Sequence, residues 1–228
     1  MILAAHQPAY LPWLGYFEKI SKSDTFIFLD SVQFEKNSFT NRNLIKTAQG
    51  TQWLTVPVKT KDHLSSSLCQ IKIDPTQKWK LKHLQAIRIN YAKAPYFSKL
   101  FPLLEALYQV EFEYLADFCF HHLVFWLRYL GIEREILRSS QLSITSKKSQ
   151  LILDLCLSLG ANEYYSGKLG ADYLDEDSFR RKKIEIQYQD FQGFQYPQLY
   201  GHFVPHLSIL DFCMNMQANH NFFDKGEL

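Results

Sequence analysis

Several things are scarce in this 228-residue chain, and each scarcity removes a class of protein. The four cysteines, Cys69, Cys119, Cys156 and Cys213, are widely scattered and form no C-x-x-C pair. That leaves no disulfide framework and no zinc ribbon to read; three of them sit in apolar helical patterns, where a thiol behaves as a small hydrophobe. Net charge is only +2, from 25 basic against 23 acidic side chains, too little to imply a nucleic-acid partner by itself. Lys78, Lys80 and Lys82 lie around much of one helix's circumference and make no basic stripe, so solvated charge accounts for them. No uninterrupted apolar run approaches the ~20 residues that span a bilayer, and the first residues lack the basic region, apolar core and cleavage site of a signal peptide. No membrane insertion and a cytoplasmic location are expected. Internal repeats and low-complexity segments are missing too.

Metal-ligand spacing is likewise lacking. His121 and His122 are adjacent in the most apolar helix and point in different directions, which prevents easy chelation of one ion. His202, His206 and His220 have no metal spacing with each other or with carboxylates, so no metal site is predicted. Ser166-Gly167-Lys168-Leu169-Gly170 resembles a phosphate-cradling turn but lacks the G-x-x-x-x-G-K-[ST] spacing of a P-loop; by itself it reads as a plain glycine turn.

What is present is a sizeable core and a clear alternation of elements. With 46% hydrophobic residues, the length suits one domain spanning 1–228, or one domain carrying a helical insertion. Strand-length apolar runs occur at residues 2–5 and 25–29, short strands are read at 135–138 and 163–165, and residues 184–188 alternate as a strand. The first two are separated by a helix that opens after Pro12, where a missing N–H costs nothing. This strand–helix–strand unit predicts parallel pairing through a right-handed crossover. Further strands are expected at 53–56 and 70–73. From residue 76 to 131 the pattern is helical, punctuated by Pro95, Pro102 and Gly131, and a helix from Ser146 stops at Gly160. A last helix is expected at 207–212. The predicted fold is α/β: an open, mainly parallel sheet with flanking helices, Rossmann-like or nucleotidylyltransferase-like, plus the inserted helical segment 76–131.

Three polar clusters follow strands and therefore fall where ligands bind in such sheets. The first is His6, Gln7 and Tyr10 in a turn enforced by Pro8 and Pro12. The second is Asp30, Gln33 and Lys36, continuing into Asn41, Arg42, Asn43 and Lys46. The third is Ser166, Gly167 and Gly170. A lone histidine is usually a satisfied polar residue, but His6 has polar company. Arg42 between two asparagines concentrates donors that suit phosphate or carboxylate, with capping or turn roles for Asn41 and Asn43 as the alternative. A single pocket is predicted, lined by His6, Gln7, Tyr10, Gln33, Arg42, Asn43 and Gly167 and closed on one side by the segment 76–131.

The motifs His6-Gln7-Pro8-x-Tyr10-x-Pro12-Trp13-x-Gly15-Tyr16-Phe17-x-Lys19-Ile20, Leu29-Asp30-x-Val32-Gln33-Phe34-x-Lys36, Asn41-Arg42-Asn43-x-Ile45-Lys46 and Trp53-Leu54-Thr55-Val56-Pro57 resemble the WbqC-like family of bacterial proteins. The resemblance continues in Tyr165-Ser166-Gly167-x-x-Gly170 and Gly201-x-Phe203-x-Pro205-x-Leu207-Ser208-Ile209-x-Asp211. Where the family pattern has His-Pro before a tyrosine and a glutamine, this chain has Gly193-Phe194 before Tyr196 and Gln198. A weaker, fold-level similarity is to the pantothenate synthetases, whose His-x-Gly-His signature is absent here. The resemblance implies a role in surface-polysaccharide (O-antigen) synthesis: an acyl or aminoacyl (glycine) transferase acting on an amino sugar, with a small-molecule nucleotide-sugar or amino-sugar substrate and ATP as a candidate cofactor. A non-catalytic nucleotide-sugar or saccharide-intermediate binding protein is the other reading. In the enzyme reading His6, Asp30 and Arg42 are the candidate catalytic residues. Gln7, Tyr10, Gln33, Lys36, Asn41, Asn43, Lys46, Ser166, Gly167 and Gly170 are then substrate-binding.

Overall fold

The computed structural model describes residues 1–36, 38–59, 66–217 and 223; His220 lies outside them. Five strands, β1 (Ile2–His6), β2 (Thr25–Phe28), β5 (Glu135–Arg138), β6 (Glu163–Ser166) and β7 (Glu185–Tyr188), form one sheet in the order β5-β2-β1-β6-β7. Every pairing is parallel. A parallel sheet is covered on both faces, and the side-chain alternation shows it. Ala4, Phe26, Phe28 and Tyr165 enter one core, while Leu3, Ala5, Ile27 and Tyr164 enter the other. On the first face lie α1 (Leu14–Ser21) and α4 (Leu115–Leu130); on the second, α5 (Lys148–Leu159) and α6 (Glu176–Arg181).

From β1 the chain moves outward through β2 to β5, then returns to lay β6 and β7 on the other side of β1. The order thus reverses between β1 and β6, and such a reversal opens a crevice beyond the carboxyl ends of the two strands. The first helix follows the turn as expected, and all of its residues from Leu14 to Ser21 are buried. The helices α4 and α5 stop at Gly131 (φ 72°) and Gly160 (φ 70°), left-handed positions that a side chain disfavours.

Between β2 and β5 come an antiparallel hairpin, β3 (Arg42–Thr47) and β4 (Gly50–Thr55), the helices α2 (Trp79–Tyr91) and α3 (Phe97–Gln109), and α4. Helix α4 lies against the sheet, its Phe120 ring 5.2 Å from Phe28. Trp79 of α2 and Tyr108 of α3 pack on α4's Phe118 from farther out. A last helix, α7, covers Ile209–Asn215.

Three local expectations change. Residues 42–47, which carry Arg42, Asn43 and Lys46 of the second polar cluster and were not expected as a strand, are strand β3, whose asparagine and lysine side chains find buried partners. The strand expected at 70–73 is a single 3-10 turn, Leu68–Gln70, held by a Ser67/Gln70 capping box, with only isolated bridges at Lys72 and Ile73. Pro102, read as punctuation, lies inside α3 on an exposed position, where the ring meets solvent and one helical hydrogen bond is lost.

Candidate functional site

At the switch point the end of β1 delivers His6 and Gln7. Ala4 is paired with Tyr165 of β6, so two residues on, His6 faces the turn at Gly167. The His6 ring packs 4.8 Å from the ring of Tyr16 in α1, whose hydroxyl donates to the Gln7 carbonyl at 3.2 Å. His6 Nδ1 lies 3.0 Å from that same carbonyl. A carbonyl only accepts, so Nδ1 carries the proton and Nε2 presents a lone pair. Solvent reaches the ring, yet enough protein crowds it that desolvation, followed by repulsion from Lys19, lowers its pKa to about 4. At neutral pH His6 is the uncharged imidazole.

Lys19 is the unusual group. Its side chain comes off α1 only 3% exposed, and its Nζ donates to the Ala5 carbonyl at 2.7 Å. Across the crevice, a β-carbon placed on Gly167 would sit 3.6 Å from that nitrogen. Neighbouring Glu18 is already engaged, accepting from Tyr165 Oη at 2.9 Å and Gln189 Nε2 at 2.5 Å and pairing with Lys22 at 3.0 Å. Among the described residues no carboxylate lies within 4.0 Å of Lys19 Nζ. Burial therefore lowers the Lys19 pKa to about 7, with the charge of Glu18 raising it in part. A buried amine that is half protonated at neutral pH can take a proton or hold an anion. The turn after β6 completes the crevice. Ser166 Oγ donates to the Gly167 carbonyl at 3.1 Å, and a β-carbon on Gly170 would come within 1.9 Å of that oxygen. The Ser-Gly-x-x-Gly spacing is thus a packing requirement.

Of the sequence-predicted residues, His6, Gln7, Ser166 and Gly167 come together, with Gly170 beneath them. The others do not join this group. Tyr10 is fully buried among the helices, its hydroxyl bonded to His83 Nδ1 at 2.8 Å and to Tyr108; Pro8 and Pro12 turn the chain so that this ring enters the core. Asp30 has no exposure and its carboxylate is saturated. Arg138 Nε donates at 2.7 Å, Ser140 N and Oγ each at 2.8 Å, and Ser139 Oγ at 3.2 Å. With every lone pair engaged and no solvent, Asp30 clamps β2 to β5 and is not poised to move a proton. Asn41 Nδ2 donates to the Val56 carbonyl at 2.9 Å and Asn43 Nδ2 to the Leu11 carbonyl at 2.6 Å, so both fasten backbone. Arg42 stacks over Trp53, its guanidinium carbon 4.3 Å from the ring centroid. Lys46 is buried and donates to Gln198 Oε1 and the His202 carbonyl at 3.0 and 2.6 Å. Gln33 and Lys36 are exposed, Gln33 forming an isolated bridge with Ser67.

Lys19, Tyr16 and Gln189 were missed. The signal for Lys19 was weak: it lies on a short helix that, Glu18 and Ser21 apart, is apolar or aromatic, and the structure buries that helix all round. Gln189 gave no local signal; it matters because β7 ends beside α1, where its amide donates to the Gly15 carbonyl at 2.7 Å. No group of three His, Cys, Asp or Glu among the described residues could hold a metal ion. None of their helices is long and apolar enough to cross a membrane.

A five-stranded parallel sheet covered on both faces, with a buried lysine and a neutral histidine at its point of reversal, defines a doubly wound α/β protein with its candidate ligand site at the switch point. The chain belongs to the WbqC-like protein family, which it matches over residues 7–221. It is similar to the uncharacterized protein Rv1507c of Mycobacterium tuberculosis (strain ATCC 25618 / H37Rv), 35% identical over 218 residues, or 95% of this chain and 94% of that protein. No solved structure matches it.

Proposed function

We propose that the protein is a transferase of bacterial surface-polysaccharide synthesis that places an acyl or aminoacyl group, such as glycyl, on the amine of a nucleotide-linked amino sugar. Family membership supports the polysaccharide context, and the observation that carries the chemistry is Lys19, a buried amine with a pKa of about 7 and, among the described residues, no carboxylate within 4.0 Å of its nitrogen. An amino sugar must bind as its free amine, the ammonium having first lost one proton to water, and the nitrogen sheds a second proton as it bonds to the donor's carbonyl carbon. Neutral Lys19 accepts that proton as the nitrogen–carbon bond forms. The resulting ammonium then faces the departing anionic group of the donor, and in a site shielded from water such a pairing is strong. His6, uncharged and with Nε2 open, orients the acceptor by hydrogen bonding without adding positive charge.

The test is to give purified protein glycine, ATP and a panel of amino-sugar nucleotides and to follow acylated sugar together with phosphate or pyrophosphate release. Product from the wild type and none from Lys19→Met, both folded by circular dichroism, is the expected result. Folded wild type that makes no product from any pair while still binding the nucleotide sugars replaces the transferase with a binding protein.

A further inference from the structure

Beyond the amino-terminal end of α1 the chain forms a second concavity, a groove of about 720 Å³, within the range of small-molecule sites. Its walls are rings: Trp13 from the start of α1, and Phe191, Phe194, Tyr196 and Phe203 from the segment after β7. None of these rings lies parallel on another. Trp13 meets Phe191 at 51° and His206 at 75°, Phe191 meets Phe194 at 89°, and Tyr196 meets Phe203 at 86°. Trp13, Phe191 and Phe203 are only half-buried, so part of each ring remains accessible to a flat guest. Polar groups in the lining are glutamine amides (Gln192, Gln195) and imidazoles (His202, His206), and none of its residues is Asp, Glu, Lys or Arg.

The groove is built in advance of any guest. Gly15 lets the Trp13 indole lie across the first helical turn, since a β-carbon there would come within 2.1 Å of the ring. Tyr196 Oη donates to buried Asp211 at 2.8 Å. Gln198 ties down both the N–H and the carbonyl of Val204 and receives Lys46 Nζ at 3.0 Å. Trp13 pairs with Ser208, and Ile209 N donates to the Pro12 carbonyl at 2.8 Å. These braces hold two non-glycine residues, Tyr200 (φ 62°) and His206 (φ 57°), in left-handed backbone.

We infer that this groove seats the nucleobase of the ligand whose anionic group meets Lys19 in the switch-point crevice. The inference rests on the crevice reading above and names the ligand class: a nucleotide-linked substrate. Aromatic faces stack any base, while amides and imidazoles supply the donors and acceptors that a base edge needs. A sugar in the same groove would bring several hydroxyl protons, and the lining meets them only with the uncharged acceptors of two amides and two imidazoles, with no carboxylate. The spacing is of the right order. Trp13 caps α1 and Lys19 lies six residues further on, a backbone separation of about 9 Å along the axis at 1.5 Å per residue, comparable to that between a base and its phosphates. The uncharged groove and the cationic crevice divide as a nucleotide does, ring at one end and negative charge at the other.

Isothermal titration of the full chain with the four ribonucleoside 5′-monophosphates, ribose 5-phosphate and N-acetylglucosamine tests this. At least one nucleotide is expected to bind more than tenfold tighter than ribose 5-phosphate, which has the charge but no base. Phe191 is half-buried, and Phe191→Ala is expected to remove that margin, about tenfold for one lost stacking face, while leaving ribose 5-phosphate binding unchanged. Nucleotides that bind no tighter than ribose 5-phosphate overturn the inference, as does a margin indifferent to Phe191→Ala or N-acetylglucosamine binding that depends on Phe191. The crevice is read separately, because Lys19→Met should abolish ribose 5-phosphate binding. If ribose 5-phosphate binds through Lys19 but no base adds affinity, only the groove assignment fails. If a nucleotide binds through Phe191 and is indifferent to Lys19→Met, the crevice reading fails instead and the pairing of base and anion inferred here fails with it.

Discussion

Lys19, reaching from α1 to the end of β1, and Asp30, just beyond the end of the neighbouring β2, are both buried and both ionisable, and they differ in what surrounds them. Asp30 meets Arg138, Ser139 and Ser140 and has no lone pair left over. Lys19 meets a single carbonyl, that of Ala5. An ammonium has three protons to donate, so Lys19 has donors to spare and Asp30 has nothing to give. Lys46 sides with Asp30: it is as buried as Lys19, but Gln198 and the His202 carbonyl engage it. Saturated polar groups hold elements together; an unsaturated one beside a crevice is where a ligand can supply what is missing.

Substitution at each end should separate the two kinds of residue. Lys19→Met should reduce transferase turnover by about 10²–10⁴-fold, the usual effect of removing a proton acceptor, and leave the urea midpoint unchanged or higher, because a poorly compensated buried amine has gone. The pH profile of the wild type should rise as the pH passes upward through about 7, as Lys19 loses its proton. A Lys19→Met protein that retains wild-type turnover would place Lys19 with Asp30 as structural.

Asp30→Ala should act the other way. It strands the Arg138 guanidinium against the remaining partner, Asp117, at 2.6 Å, and should cost about 3–5 kcal/mol in urea unfolding, as breaking a buried ion pair does. Turnover per folded molecule should persist. If stability holds and turnover collapses, Asp30 belongs to the chemistry after all.

A third, smaller effect concerns the helical side of the molecule. His122 is 1% exposed, and neither ring nitrogen has a hydrogen-bond partner among the described residues. His122→Leu should stabilise the protein by about 1–2 kcal/mol at pH 7, because an unsatisfied buried polar group is removed. The effect should grow in acid. Burial holds the His122 pKa well below 6.5, with repulsion from His121 adding to it, so below about pH 6.5 the unfolded chain binds a proton that the folded chain refuses. Stability then falls with falling pH. The variant should show a shallower acid slope, retaining the part due to His83 and His6, whose pKa values burial lowers to about 4. Urea midpoints at pH 7, 6 and 5 measure this, and parallel slopes for variant and wild type would mean that His122 has an undetected partner.

The alternation of elements, and with it the α/β class, was legible in the sequence because each depends on neighbours along the chain. Strand length, helical spacing, Pro12 opening a helix, and Gly131 and Gly160 closing two others are all local signals. The placement of His6, Asp30 and Ser166 at one sheet edge followed from parallel pairing. Strand β3 was not legible, because its polar residues reveal a strand only once their buried partners are known. The sorting of polar residues into clamps and site was not legible either. Asp30 is saturated by residues 108 to 110 positions away, and Lys46 by residues 152 and 156 positions away. Sequence alone determined which residues could carry charge and roughly where the five parallel strands would end. Only the tertiary structure decided which charges were already satisfied, because a hydrogen bond is decided by distance in space and its partners lie far apart along the chain.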